Sequence, residues 1–237
     1  MEKRNQNRRQ FIGQVAAAGL VSLPLASVLA SCADEGEDKE EGISPNEDLM
    51  QEHGILNRVL LIYDELVNRI NSHKDFDPQL LYQAAMIIRK FIEDYHEKQE
   101  ELYLFPRFEK AGQHTELVTT LRVQHQQGGL LTSTLMSLGS KPRLGDREYS
   151  EIKANLSAFI RMYRPHESRE DTVLFPAFKK LVSAHEYNSL GEEFEKNEHK
   201  MFGKDGYLDY LAKTESIEKA LDIYDLGQFT PVQNQLQ

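Results

Sequence analysis

Residues 96–106 read HEKQEELYLFP, and residues 166–176 read HESREDTVLFP. The histidine, two glutamates and the closing Leu-Phe-Pro fall at matching places, and Glu101 in the first stretch is answered by Asp171 in the second. A repeat that only rebuilt a core would need to keep apolar residues. This one keeps cation-binding residue types. Side chains four apart on a helix lie on one face, so His96 with Glu100, and His166 with Glu170, each point at one place.

The flanking sequence predicts long helices. Ser44-Pro45-Asn46-Glu47 is a helix start, with a capping serine, proline in the first turn and acids behind it. From there Leu49, His53, Leu56, Leu60, Tyr63, Val67 and Ile70 recur at three- and four-residue spacing. Asp77-Pro78 opens a second helix that runs through His96 to Leu104-Phe105-Pro106, where proline should end or bend it. A third is expected from Thr115 to Leu138, weakened at Gly128-Gly129, and a fourth from Asp146 to Val182, with Pro165 kinking it just before His166. One or two shorter helices follow Leu190. No strand alternation or hairpin signal appears. The expected fold is all-α, an up-down-up-down four-helix bundle with a short helical C-terminal extension.

The two helices without a repeat each bring one inward histidine. His53 shares a face with Leu49, Leu56 and Leu60, and His125 shares one with Leu121. Four histidines and two carboxylates from four helices then converge where bundles build cofactor sites. The set His53, His96, Glu100, His125, His166 and Glu170 suits two octahedral cations bridged by carboxylates. Zinc, which favours four ligands, fits it less well, so iron is expected ahead of zinc or manganese. Glu97, Glu101, Glu167 and Asp171 are expected as solvated or outer-sphere groups, with Asp171 as an alternative bridge to Glu170. Tyr163, one turn before His166, is placed either to hydrogen-bond a ligand or as a core tyrosine. His73, His114, His185 and His199 are expected on the surface.

This arrangement resembles the hemerythrin-like, HHE cation-binding family over about residues 46–185. The resemblance implies a non-haem di-iron site on the six residues just named. It also implies a protein that binds or reacts with O₂, NO or a peroxide, the alternative being iron storage or delivery. In the oxygen-carrying members a second histidine follows one turn after the first on the third helix; Gly129 stands at that position here.

Bulk properties narrow the classes. The chain has 237 residues, 40% hydrophobic and 28% charged, with a net charge of −10 that disfavours nucleic acid as a partner. The single cysteine, Cys32, excludes an internal disulfide and a thiolate cluster. Residues 1–31 have the layout of an export signal, with Lys3, Arg4, Arg8 and Arg9 ahead of an apolar stretch broken by Pro24. Asn7-Arg8-Arg9-Gln10-Phe11-Ile12 resembles a twin-arginine motif, and Leu29-Ala30-Ser31-Cys32 resembles a lipobox whose cysteine takes the lipid. The reading is therefore an export signal over 1–31, an acidic tether over 32–45, the bundle over 46–185 and the extension over 186–237. That describes an exported lipoprotein, held to a membrane by Cys32 in the periplasm or on the outer face of the envelope.

Overall fold

The computed structural model describes residues 43–231. The expected export signal, the lipidation site Cys32 and most of the tether lie outside the described residues. Ser44 caps helix α1 (Pro45–Asn71): its Oγ accepts the Glu47 N–H while the Glu47 carboxylate takes the Ser44 N–H at 3.1 Å. Asp77 caps α2 through the N–H of Gln79. Helix α2 is continuous over residues 78–111, and its backbone alternates between α- and π-helical turns, the latter at Ile88–His96 and Glu100–Leu104. Gly112, at φ 64°, ends it. Helix α3 is Thr115–Gly139, and α4 covers residues 146–181 with a π-helical turn at Glu170–Leu174.

Pro106, expected to end or bend its helix, does not end it, and Pro176 also leaves its helix running on. Pro106 and Pro176 sit in the first turn of a resumed α-segment, where their missing N–H costs little. Just before each, Phe105 N–H reaches back five residues to the Glu100 carbonyl, and Phe175 N–H to that of Glu170. The wider turn leaves room for the proline ring. Pro165 likewise leaves α4 helical through Arg169. It lies on the exposed face, where water can take the carbonyl it leaves unpaired.

Helices α1 to α4 pack as a ring, α1 against α4, α4 against α3, and α3 against α2. No strand is present among the described residues, and no helix there is long and apolar enough to cross a membrane. The extension forms α5 (Ala184–Phe202) and α6 (Gly206–Ala220), then a 3₁₀ turn at Leu226–Phe229. Both helices lie against α1, and α6 also against α2. They are integral to the core. Tyr210, Ile217, Leu221 and Ile223 join one apolar cluster, and Tyr187, Leu190 and Phe194 join a second. Arg58 grips Glu218 with two nitrogens, and Arg69 donates to the Leu221 carbonyl at 2.6 Å.

Among the described residues, two apolar clusters fill the interior. The larger is built on Leu56 to Leu66, Leu81 to Tyr95 and Ile152 to Tyr163; the smaller on Leu49, Leu104, Phe105, Phe108, Leu174, Phe175 and Phe178. Between them runs a layer of buried histidine and carboxylate.

Candidate metal centre

His53 comes from α1, His96 and Glu100 from α2, His125 from α3, and His166 and Glu170 from α4; none is more than 4% exposed. The structure brings all six together. Glu100, His125, His166 and Glu170 present atoms within 4.8 Å of one another, as do His53, His96 and Glu100. Glu100 Oε2 lies 3.5 Å from His125 Nε2 and 3.9 Å from His96 Nε2. Glu170 lies 3.1 Å from His166 Nε2 and 3.4 Å from His53 Nε2. Each carboxylate therefore stands between a histidine of one pair, His53 with His96, and a histidine of the other, His125 with His166.

The outer ring nitrogen of each of these four histidines is engaged. His53 Nδ1 meets Asp171 Oδ1 at 2.8 Å, His96 Nδ1 meets Glu52 Oε2 at 2.8 Å, His125 Nδ1 meets Glu101 Oε1 at 3.1 Å, and His166 Nδ1 meets Gln124 Oε1 at 2.9 Å. Each Nδ1–H donates outward, which fixes the tautomer and turns the Nε2 lone pair to the centre. Asp171 is thus the partner of His53, and Glu170 is the carboxylate that faces the centre.

The residues fit a cation. Both oxygens of Glu100, both of Glu170 and His125 Nε2 are buried without a hydrogen-bond partner. Such groups cost several kcal/mol each unless something compensates them. Protons and neighbours do part of this. Burial and the charge of Glu170 push the Glu100 carboxyl well above its usual range, while His166 and His53 overcome burial to hold Glu170 well below it. Burial opposes the charged form of His53, yet Asp171 and Glu170 raise it to about 10. A positive charge at the centre removes the need for those protons.

The matches with known proteins cover the helices that carry this site. The family model described as the hemerythrin HHE cation binding domain matches residues 44–178. The chain belongs to this hemerythrin family. Three mycobacterial relatives, each called an uncharacterized protein, are 41% identical over 222 residues: Rv1995 and MT2051 of Mycobacterium tuberculosis and Mb2018 of Mycobacterium bovis. Each alignment covers 91% of this chain and 87% of the relative. No solved structure matches. The family match and the buried histidine–carboxylate cluster make the hemerythrin domain a binding site for metal cations.

The structure also explains the apolar half of the hemerythrin repeat. Phe105 stacks on His125, with ring centres 5.6 Å apart, and Phe175 stacks on His53 at 5.6 Å. Each Leu-Phe-Pro thus lays a ring under the histidine of a neighbouring helix and closes one side of the centre to water. The π-turns begin at Glu100 and Glu170 themselves, a placement common at functional sites.

On the other side Tyr163 closes the centre. Its hydroxyl donates to Glu97 Oε1 at 2.7 Å, so its partner is an outer carboxylate and not a ligand histidine. A Cβ on Gly128 would stand 2.0 Å from that hydroxyl, which accounts for a glycine in the middle of α3. Glu97 and Glu167, expected as solvated or outer groups, are both buried. Burial raises Glu167 to about 7, and also Glu93, one turn before Glu97, to about 7. Burial opposes ionisation of Glu101 too, but its hydrogen bond to His125 dominates, with Lys98 assisting, and lowers it to about 2. His73, His114, His185 and His199 are exposed. Sequence reasoning missed Glu52 and Gln124. The available signal was their matching position, each directly before a single inward histidine.

Proposed function

We propose that this hemerythrin domain holds two irons and binds or reacts with a small ligand, O₂, NO or a peroxide. The observation that carries the reading is the set of buried atoms without a hydrogen-bond partner on Glu100, Glu170 and His125, framed by four histidines whose Nδ1 atoms are all engaged outward. His53 and His96 would hold one cation, His125 and His166 the other, with Glu100 and Glu170 reaching both. Ferrous iron, when held by these residues, would supply electrons for reaction with a diatomic ligand or peroxide. The chain's own part is to orient the four Nε2 lone pairs, to place two carboxylates between them, and to exclude bulk water with Phe105, Phe175 and Tyr163. The near-complete burial of all six side chains favours a resident cofactor over rapidly exchanged storage iron.

Metal analysis of the purified chain tests this reading, followed by exposure of the ferrous protein to O₂, NO and peroxide. About two irons per chain and a changed absorption spectrum with at least one of them are expected. One zinc per chain, no stoichiometric metal, or a spectrum inert to all three would overturn it. Iron lost to a chelator within minutes while the fold survives would favour storage or delivery.

The same proposal places the protein outside the cytoplasm, tethered by a lipid on Cys32. Its support is the basic and apolar pattern of residues 1–31 and the Leu29-Ala30-Ser31-Cys32 stretch. Labelled palmitate should enter the wild-type protein and not Cys32→Ser; equal labelling, or none, counts against the anchor.

A further inference from the structure

The centre has an approximate twofold design. Its α1 and α3 parts are offset by about 72 residues (His53 to His125) and its α2 and α4 parts by about 70 (His96 to His166). Most outer partners obey it. Asp171 on His53 matches Glu101 on His125, both carboxylates. Glu97 and Glu167, directly after His96 and His166, are both buried carboxyls. One pair breaks the rule. His96 donates to the carboxylate of Glu52, whereas His166 donates to the amide of Gln124, at 2.8 and 2.9 Å. A second difference points the same way. Lys98 lies 2.5 Å from Glu101 and offsets part of its charge, and no lysine or arginine pairs with Asp171 among the described residues.

We propose that Glu52 and Gln124 make the two halves of the centre unequal, so that the His53/His96 half binds its cation first and more tightly, and the His125/His166 half binds second and more weakly. The inference rests on the two-cation reading above. A carboxylate acceptor on Nδ1 makes the opposite nitrogen a stronger donor to a cation, and an amide does so less. Burial sharpens the contrast, since Glu52 is 1% exposed and Gln124 is only half-buried, and a charge acts more strongly where water is excluded. Removing an outer partner of this kind typically changes metal affinity about 10–100-fold.

The test is a titration of the metal-free full chain with cobalt(II) alone, followed by absorption and calorimetry. Repulsion between two cations separates the steps in any such site, so the decisive quantity is how the separation responds to exchange of the outer partners. Gln124→Glu should tighten the second step about 10–100-fold and leave the first near its wild-type value. Glu52→Gln should weaken the first step by a similar factor. The double exchange should restore two well-separated steps. A gain in affinity from Gln124→Glu is not what mere loss of packing would produce, and it keeps the test decisive even if Glu52→Gln folds poorly. Steps unmoved by Gln124→Glu, or both steps shifted equally by either variant, would overturn the inequality while leaving the two-cation reading intact. Binding of one cobalt or none by the wild-type chain would overturn both.

Discussion

Gly128 and Gly129 are adjacent in α3, and substitution by alanine should move stability in opposite directions. In an exposed helix either change gains about 1 kcal/mol of helix propensity. At Gly129 little opposes that gain, because the nearest atoms to a new Cβ are Arg89 Nη1 at 3.8 Å and Glu93 Oε2 at 3.9 Å. At Gly128 the new Cβ would sit 2.0 Å from the Tyr163 hydroxyl and 2.8 Å from its Cζ. Tyr163 cannot step aside freely. It is 1% exposed, stacked on Phe159 with ring centres 4.2 Å apart, and bonded to Glu97. Overpacking costs about 1–3 kcal/mol, and a lost hydrogen bond to a buried carboxyl about 1.5–3 kcal/mol. Against a gain of about 1 kcal/mol, Gly128→Ala should therefore destabilise by about 1.5–5 kcal/mol. Gly129→Ala should stabilise by up to about 1 kcal/mol. Urea unfolding of the metal-free chain, followed by far-ultraviolet circular dichroism, reads both. Adding Tyr163→Phe to Gly128→Ala should recover at least about 1 kcal/mol, because the closest clashing atom is gone, a non-additivity expected only for residues in contact. Equal effects at the two glycines, or strict additivity with Tyr163→Phe, would refute the close approach on which the argument depends.

Two further outcomes follow from buried charges. Burial lifts Glu93 from an ordinary 4.5 to about 7, so the folded chain holds that proton where the unfolded chain has released it. Its contribution to stability is then greatest below pH 4.5 and is lost as pH rises to 7. Glu93→Gln should gain about 2–3 kcal/mol over wild type at pH 8 and little at pH 4.5; an equal loss at both would mean that the ion pair Glu93 makes with Arg89, at 2.5 Å, dominates. Glu218 is buried and held by two nitrogens of Arg58. Its replacement by alanine should cost about 1–2 kcal/mol, since Arg58 stays partly hydrated. Hydrogen exchange should speed up in residues 206–221 before it does in α1, and uniform acceleration across the bundle would contradict this.

Helix class and the phase of the site residues were legible from local pattern alone. Three- and four-residue spacing puts His53 and His125 on apolar faces, and the i,i+4 pairs put His96 with Glu100 and His166 with Glu170, whatever the helices later pack against. The effect of proline was less legible. Pro106 reads as the end or a bend of its helix, but a π-turn is a local rearrangement of hydrogen bonds that spacing does not encode. Glu97 and Glu167 could be read only as solvated or outer-sphere groups, because a carboxylate beside a ligand has no periodic signature. Their burial depends on which helix covers them, and for Glu97 on a tyrosine 66 residues away.

By itself the sequence determined an all-helical chain carrying two matched sets of cation-binding residues on inward faces, because helix periodicity is a local property of the backbone. Only the tertiary structure decided which acceptor each histidine received. His96 finds Glu52 across 44 residues, His166 finds Gln124 across 42, and His53 finds Asp171 across 118. These are contacts between helices, set by crossing geometry and side-chain length. They are what turn four imidazoles on four faces into a centre with its lone pairs directed inward.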